Sequence, residues 1–267
     1  HSPVFSALCD RASDKGMIEK WPLSGRDNGY SGRPSMRDIA SFVGANLTVQ
    51  QEAEIAHITQ SQNSFILQSK SGETYHCQHL LLGAPAPQTE ILLRDLAPKL
   101  AKVAGLAGYA PCWTVMAELH QPPEGLRAVI KEEGILGWAS LEASRPSASP
   151  SGAVTLQANA SYSERFLESP PEQVIKDITA AYQEAQNIQT LKWGYQRAHR
   201  WRYAKVVKPA PPDAPFMEKF SAGLLALAGD WHPVSATPGK LASGARAEEA
   251  LLSGYRAALE ILSGLAD

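Results

Sequence analysis

A compact apolar run, Gly223 to Ala228, ends in Gly229-Asp230, and a polar loop then leads into helical spacing from Ala245 to Leu262. Strand, Gly-Asp, loop and helix together make a device for holding a polar cofactor. The glycine lets backbone approach closely, and the aspartate can accept from a sugar hydroxyl. The helix offers unpaired N–H groups at its positive dipole end. On spacing alone, Asp230 reads equally well as a turn residue of the loop. His232, two positions on, could line a cavity or make one hydrogen bond within a turn. Other chemistries find no support. The seven histidines form neither HxH nor HExxH, so a catalytic metal has no ligand set. No G-x-S-x-G and no P-loop occurs. Glu132-Glu133 and Glu248-Glu249 are adjacent pairs that point apart rather than converge as paired acids.

Periodicity gives the elements that must position these residues. Pro3 to Gly16 reads as a helix with Phe5, Leu8 and Cys9 on one face. Trp21 to Arg26 reads as a short strand. Ser35 is placed to cap a second helix whose buried stripe is Ile39, Phe42 and Val43. Leu47–Gln51, Glu54–Thr59, Ser64–Ser69 and Thr74–Leu82 are spaced like a meander, with Ser71-Gly72 as a hairpin turn. Leu80-Leu81-Leu82 is apolar without alternation, the pattern of a strand covered on both faces. Cys112–Leu119, Gly134–Ala143, Val154–Ala160 and Thr190–Tyr203 read as an antiparallel layer, interrupted by one strong helix from Pro171 to about Ala185. In the last helix, Ala250, Leu251, Tyr255, Ala258 and Ile261 are the expected buried side.

At 267 residues the chain can bury the core of one or two domains. A formal net charge of −2 gives no basic footprint for nucleic acid. Arg197, Arg200 and Arg202 alternate along a strand, which suits a solvated face or a ligand. No apolar run reaches the ~20 residues of a membrane span, and no basic-then-apolar leader opens the chain. Cys9, Cys77 and Cys112 lack a CxxC and read as reduced, so a cytoplasmic location is expected. The opening His1-Ser2-Pro3, without Met, suggests a segment upstream that was cut, processed or never included.

Leu227-Ala228-Gly229-Asp230-Trp231, followed by Arg246 to Gly254, resembles the C-terminal FAD motif of the flavin amine oxidase superfamily, and within it the bacterial renalase-like branch. Ala110 to Trp113, Ala198 to Ala204 and Gly83 to Gln88 resemble the same branch. The resemblance implies an α/β protein with an FAD/NAD(P)-binding, Rossmann-like domain from residues 1–105 and 205–267. A mostly antiparallel substrate domain, 106–204, is inserted in it. It implies cofactor contacts at Gly229 and Asp230, and at Trp231, Arg246 and Glu248 beside the flavin ring. It also implies them at Ile55, Ala84 and Pro85 near the adenosine. A helix N-terminus there would favour the anionic reduced flavin. Pro34, Met36, Trp201 and His232 would line the substrate cavity, although Trp201 also suits a core. The implied reaction is oxidation of a small reduced nitrogen compound, such as a dihydronicotinamide isomer of NAD(P)H, with O2 as acceptor.

Two departures qualify this expectation. Pro233 to Ser243 lengthen the loop before Arg246, and the sequence contains no G-x-G. The glycine-rich turn that holds the diphosphate is therefore expected to be absent. FAD would bind weakly, or a partner or further segment would complete the sheet. The alternative is a cofactor-free remnant of the fold that acts as an interaction scaffold.

Overall fold

The computed structural model describes residues 2–22, 29–146, 148, 151–232 and 247–265. In chain order the first elements are α1 (Pro3–Asp14), β1 (Ile18–Lys20), β2 (Tyr30–Gly32) and α2 (Met36–Val43). Then follow β3 (Ile55–Gln60), β4 (Phe65–Ser69), β5 (Thr74–Cys77), β6 (Leu80–Leu82), α3 (Ala86–Leu93) and α4 (Pro98–Ala104). The middle holds β7 (Gly108–Leu119), β8 (Val129–Glu133), β9 (Leu136–Leu141), β10 (Ala153–Ala158), α5 (Ala160–Arg165) and α6 (Pro171–Ala185). Last come β11 (Trp193–Lys208), β12 (Met217–Lys219), β13 (Leu224–Leu227) and α7 (Ala247–Ser263). The result is a mixed α/β protein with several antiparallel sheets. Among the described residues, no helix is long and apolar enough to cross a membrane.

The chain forms two compact units. The first comprises His1–Ser6, Thr48–Tyr109 and Lys205–Asp267, and the second Ala7–Leu47 and Ala110–Ala204. Residues 7–47, assigned from the sequence to the cofactor domain, thus group with the other unit. The resemblance followed chain order, whereas contacts follow packing.

In the first unit, β3, β4 and β5 form an antiparallel meander. Gly72, at φ 92°, turns β4 into β5, because only glycine adopts that backbone without strain. The chain then leaves the meander. β6 pairs in parallel with β13, Leu82 opposite Leu227, and β12 flanks β13 in antiparallel. Parallel pairing buries both faces of a strand, which suits the unbroken Leu80-Leu81-Leu82. Leu81 is nevertheless 39% exposed, so β6 is covered on one face only. Phe65, Leu93, Leu100, Leu225, Leu227 and Trp231 anchor this core. Residues 47–51 form no strand.

In the second unit, five strands run in the order β11-β7-β10-β9-β8, and α6 closes one face. Inward positions alternate as Trp113, Val115, Ala117 and Leu119 on β7 and as Val154, Leu156 and Ala158 on β10. Arg200 and Arg202 both bond Glu168, whose carboxyl the Arg202 guanidinium holds below its ordinary range. α2 starts where Ser35 predicts, with Ser35 Oγ donating to Asp38 Oδ2 at 2.5 Å. The expected stripe of Ile39, Phe42 and Val43 is not buried, and Val43 is 49% exposed. Periodicity marks an apolar face but does not supply something to cover it. The strand expected from Trp21 to Arg26 falls mostly outside the described residues; a strand forms at Ile18–Lys20 instead.

Candidate cofactor site

β6 and β13 run parallel and end side by side, so the loops after them share one edge of the sheet. In open α/β sheets this carboxyl edge is where ligands collect. Two hydrogen bonds join the loops: Ala228 N–H to Leu82 O at 2.8 Å and Trp231 Nε1–H to Ala84 O at 3.1 Å. Ala84 O also accepts from Thr89 Oγ1 at 3.1 Å. The glycine at 229 is dictated twice. Its φ is 143°, and a Cβ there would stand 2.6 Å from Trp231 Nε1.

Asp230 sits on this edge, half-buried. Burial raises its carboxyl above the ordinary value, partly offset by the backbone N–H groups of Asp230 and Trp231. Tyr109 stands nearby. Burial pushes its phenol up to about 12, and the Asp230 charge adds to the shift. Ala86 N–H donates to Tyr109 Oη at 3.2 Å, which fixes the ring against the first turn of α3. The corner therefore offers a carboxylate acceptor and a protonated phenol, a pair suited to hydroxyl groups.

Below the turn, Trp231 and His232 are 1% and 0% exposed. Gly229 N–H donates to Ser253 Oγ at 3.2 Å, tying the turn to α7. One helical turn further on, Arg256 donates from Nη2 to His232 Nδ1 at 2.9 Å and lies 3.9 Å above the Phe216 ring. Burial and then the Arg256 charge push the His232 imidazole below its ordinary value. Among the described residues, His232 Nε2 and Arg256 Nε are buried without a well-formed hydrogen bond.

The structure thus brings together Ala84, Gly229, Asp230 and Trp231, with Pro85 leading into α3. Ile55 opens β3 opposite Ser69 and packs against the same core. Glu248, in the first turn of α7, accepts a bond from the Ser2 backbone N–H. Arg246 lies outside the described residues. In the second unit, Pro34 lines an open groove. Met36 is 56% exposed, with Sδ 3.0 Å from Gly32 N. Trp201 is 52% exposed on β11, edge-on to His199 at 4.3 Å. Sequence reasoning missed Tyr109, Ser253 and Arg256. Only the last two carried a signal, as polar residues three apart on one side of the helix after the Gly-Asp turn.

No family profile matches the sequence. Solved structures do share its fold. One is a candidate protoporphyrinogen oxidase from Exiguobacterium sp. 255-15, with TM-score 0.57 and 11% identity over 77% of this chain and 48% of its own. Another is cyclohexylamine oxidase from Brevibacterium oxydans IH-35A, with TM-score 0.54 and 14% identity over 86% and 52%. A putrescine oxidase variant redesigned in its cofactor binding gives 0.56 and 11% over 86% and 53%. The chain therefore spans about half the length of the structures it matches.

Proposed function

We propose that the chain is part of an FAD-dependent oxidoreductase, with the corner of Ala84, Tyr109 and Asp230 facing the cofactor. The observation that carries this reading is Asp230. A half-buried carboxylate disfavoured in its charged form, at the shared end of two parallel strands, is costly unless hydroxyl donors complete it. The residues present suit part of FAD. Asp230 would accept from its ribityl or ribose hydroxyls, and Tyr109 could donate. Ala84, Pro85 and Ile55 would flank the adenosine half. The diphosphate would need donors from a glycine-rich turn, which this sequence does not carry and which a further segment or partner would supply. FAD, when bound, supplies a hydride acceptor that O2 can regenerate.

The proposed substrate is a small reduced nitrogen compound, such as a dihydronicotinamide isomer of NAD(P)H. The oxidase fold shared with proteins named for amine substrates supports this class. Pro34, Met36 and Trp201 of the second unit are the proposed cavity residues, whereas His232, 0% exposed and bonded to Arg256, fits the turn role rather than a cavity wall. An electron-rich hydride donor needs orientation more than a base. Trp201, exposed on β11, offers a flat face for this purpose. A second reading, a cofactor-free scaffold, draws on the outer face of α7. There Tyr255, Leu259 and Leu262 are 48%, 49% and 61% exposed.

The test is FAD binding, followed by quenching of flavin fluorescence. Binding by the full chain, weakened about tenfold or more in Asp230→Ala, is the expected result. Equal affinity in both proteins removes Asp230 from the site, and no binding at any FAD concentration favours the scaffold.

A further inference from the structure

We propose that the groove of the second unit binds a small organic anion, a carboxylate or phosphate joined to an apolar body. The proposal shares Pro34 with the flavin reading, but the residues that carry it, Arg145 and Arg33, belong to neither the cofactor corner nor the proposed substrate cavity. The groove encloses about 560 Å3, and its walls include Met17, Gly32, Arg33, Pro34, Arg145 and Pro146. This volume suits a ligand of one or two rings.

Arg145 is locked in place. Its Nε donates to Ser31 Oγ at 2.8 Å, Nη2 to Gly32 O at 3.0 Å and Nη1 to Glu142 Oε2 at 3.1 Å. Glu142 is held in turn by Ser140 Oγ at 3.1 Å and Thr155 Oγ1 at 2.8 Å. Ser31 and Ser140 are each 1% exposed. A guanidinium carries five N–H donors, so these bonds leave one on each Nη without an acceptor among the described residues. The side chain is 21% exposed. A donor pair this rigid loses little freedom when a ligand arrives.

Arg33 supplies the second cation. It pairs with Glu19 at 3.1 Å, with 44% and 42% of the two side chains exposed. Such an exposed pair contributes little and is easily exchanged. Glu142 already spends its charge on Arg145, Ser140 and Thr155, so an incoming anion meets donors rather than a free carboxylate. Met17, Pro34, Pro146 and Ala148 make an apolar stretch of the wall, with Ser151 as its further polar member, and this stretch suits an apolar body on the ligand. Arg forks suit carboxylate and phosphate alike.

Calorimetric titration of the full chain with benzoate and phenyl phosphate tests this, with benzamide as the uncharged control. Saturable binding of either anion, weakened about tenfold by Arg33→Gln, is expected. The tighter of the two anions identifies the head group as carboxylate or phosphate. Arg145→Lys keeps the charge but loses the fork, and weakens binding as well. Should that variant unfold, Arg33→Gln, at an exposed position, decides alone. Absence of saturable binding, equal affinity for benzamide, or unchanged affinity in Arg33→Gln overturns the proposal.

Discussion

α6 and α7 are both amphipathic helices, yet different forces oriented them. α6 buries Val174, Ile178, Tyr182 and Ala185, a stripe at helical spacing in the segment where the sequence places a helix. α7 does the reverse. Its apolar Tyr255 and Leu259 face outward, and its buried side holds Ser253 and Ala257 with Arg256 alongside. Of the expected inner side, Ala250, Tyr255 and Ala258 are exposed, while Leu251 and Ile261 are half-buried. A helix that only fills a core turns its apolar face inward. A helix that supports a site is also turned by the polar groups that need it. Leaving the Gly229 N–H buried and unpaired costs about 1–3 kcal/mol, comparable with burying a leucine.

This contrast can be broken in order of effect. Ile178→Ala, at a position 0% exposed, should lose about 2–5 kcal/mol in urea unfolding. A loss below 1 kcal/mol would mean that α6 is not held by its stripe. Gly229→Ala combines a backbone disfavoured for alanine with a clash against Trp231, and should lose about 2–3 kcal/mol. Trp231 fluorescence should shift in parallel; an unchanged spectrum would show that the turn relaxes elsewhere. Ser253→Ala should lose about 1–2 kcal/mol although it removes one oxygen atom. An effect near zero would mean that water takes over from the hydroxyl.

Acid sharpens the comparison at α7. The native state depresses the His232 pKa below its ordinary 6.5. The stability linked to this residue is therefore complete above pH 6.5 and declines as pH falls below it, because the unfolded chain takes the proton first. Among the described residues, Arg256, with Glu260 beside it, is the charged group that faces this ring. His232→Phe should flatten that acid limb in unfolding curves taken between pH 7 and 5. An identical limb would assign the sensitivity to other groups. The smallest effect belongs to Leu259→Ala, within about 0.5 kcal/mol of wild type. A larger loss would place this exposed leucine against a partner in solution. At the site itself, Asp230 is raised, so the stability it contributes is complete below 3.8 and is lost as pH rises through its native value. Asp230→Asn should therefore be slightly more stable in unfolding curves at pH 7, and no gain there would show that the buried carboxylate is already compensated.

Much of the fold was legible because local signals there agreed with packing. Pro171 opens α6, Ser35 caps α2, Ser71-Gly72 turns the hairpin, and alternation marks β7 and β10. The Gly-Asp turn was legible for the same reason: its glycine answers a backbone angle. Tyr109 was not, because nothing local to the end of a long strand announces that a loop 23 residues earlier will hand it an N–H. The grouping of residues 7–47 and the exposed stripe of α2 escaped likewise, since both depend on what lies alongside.

The sequence alone determined where α2 and α6 begin and where β4 turns into β5, and that a glycine and a carboxylate meet at the end of β13. These follow from backbone sterics and periodicity, which act within a few residues. Only the tertiary structure decided that Asp230 is half-buried beside Tyr109, that α7 buries Ser253 and Ala257 while Tyr255 and Leu259 stay exposed, and that Arg145 is locked at a groove. Burial, and the hydrogen bonds it makes compulsory, depend on neighbours distant in the chain.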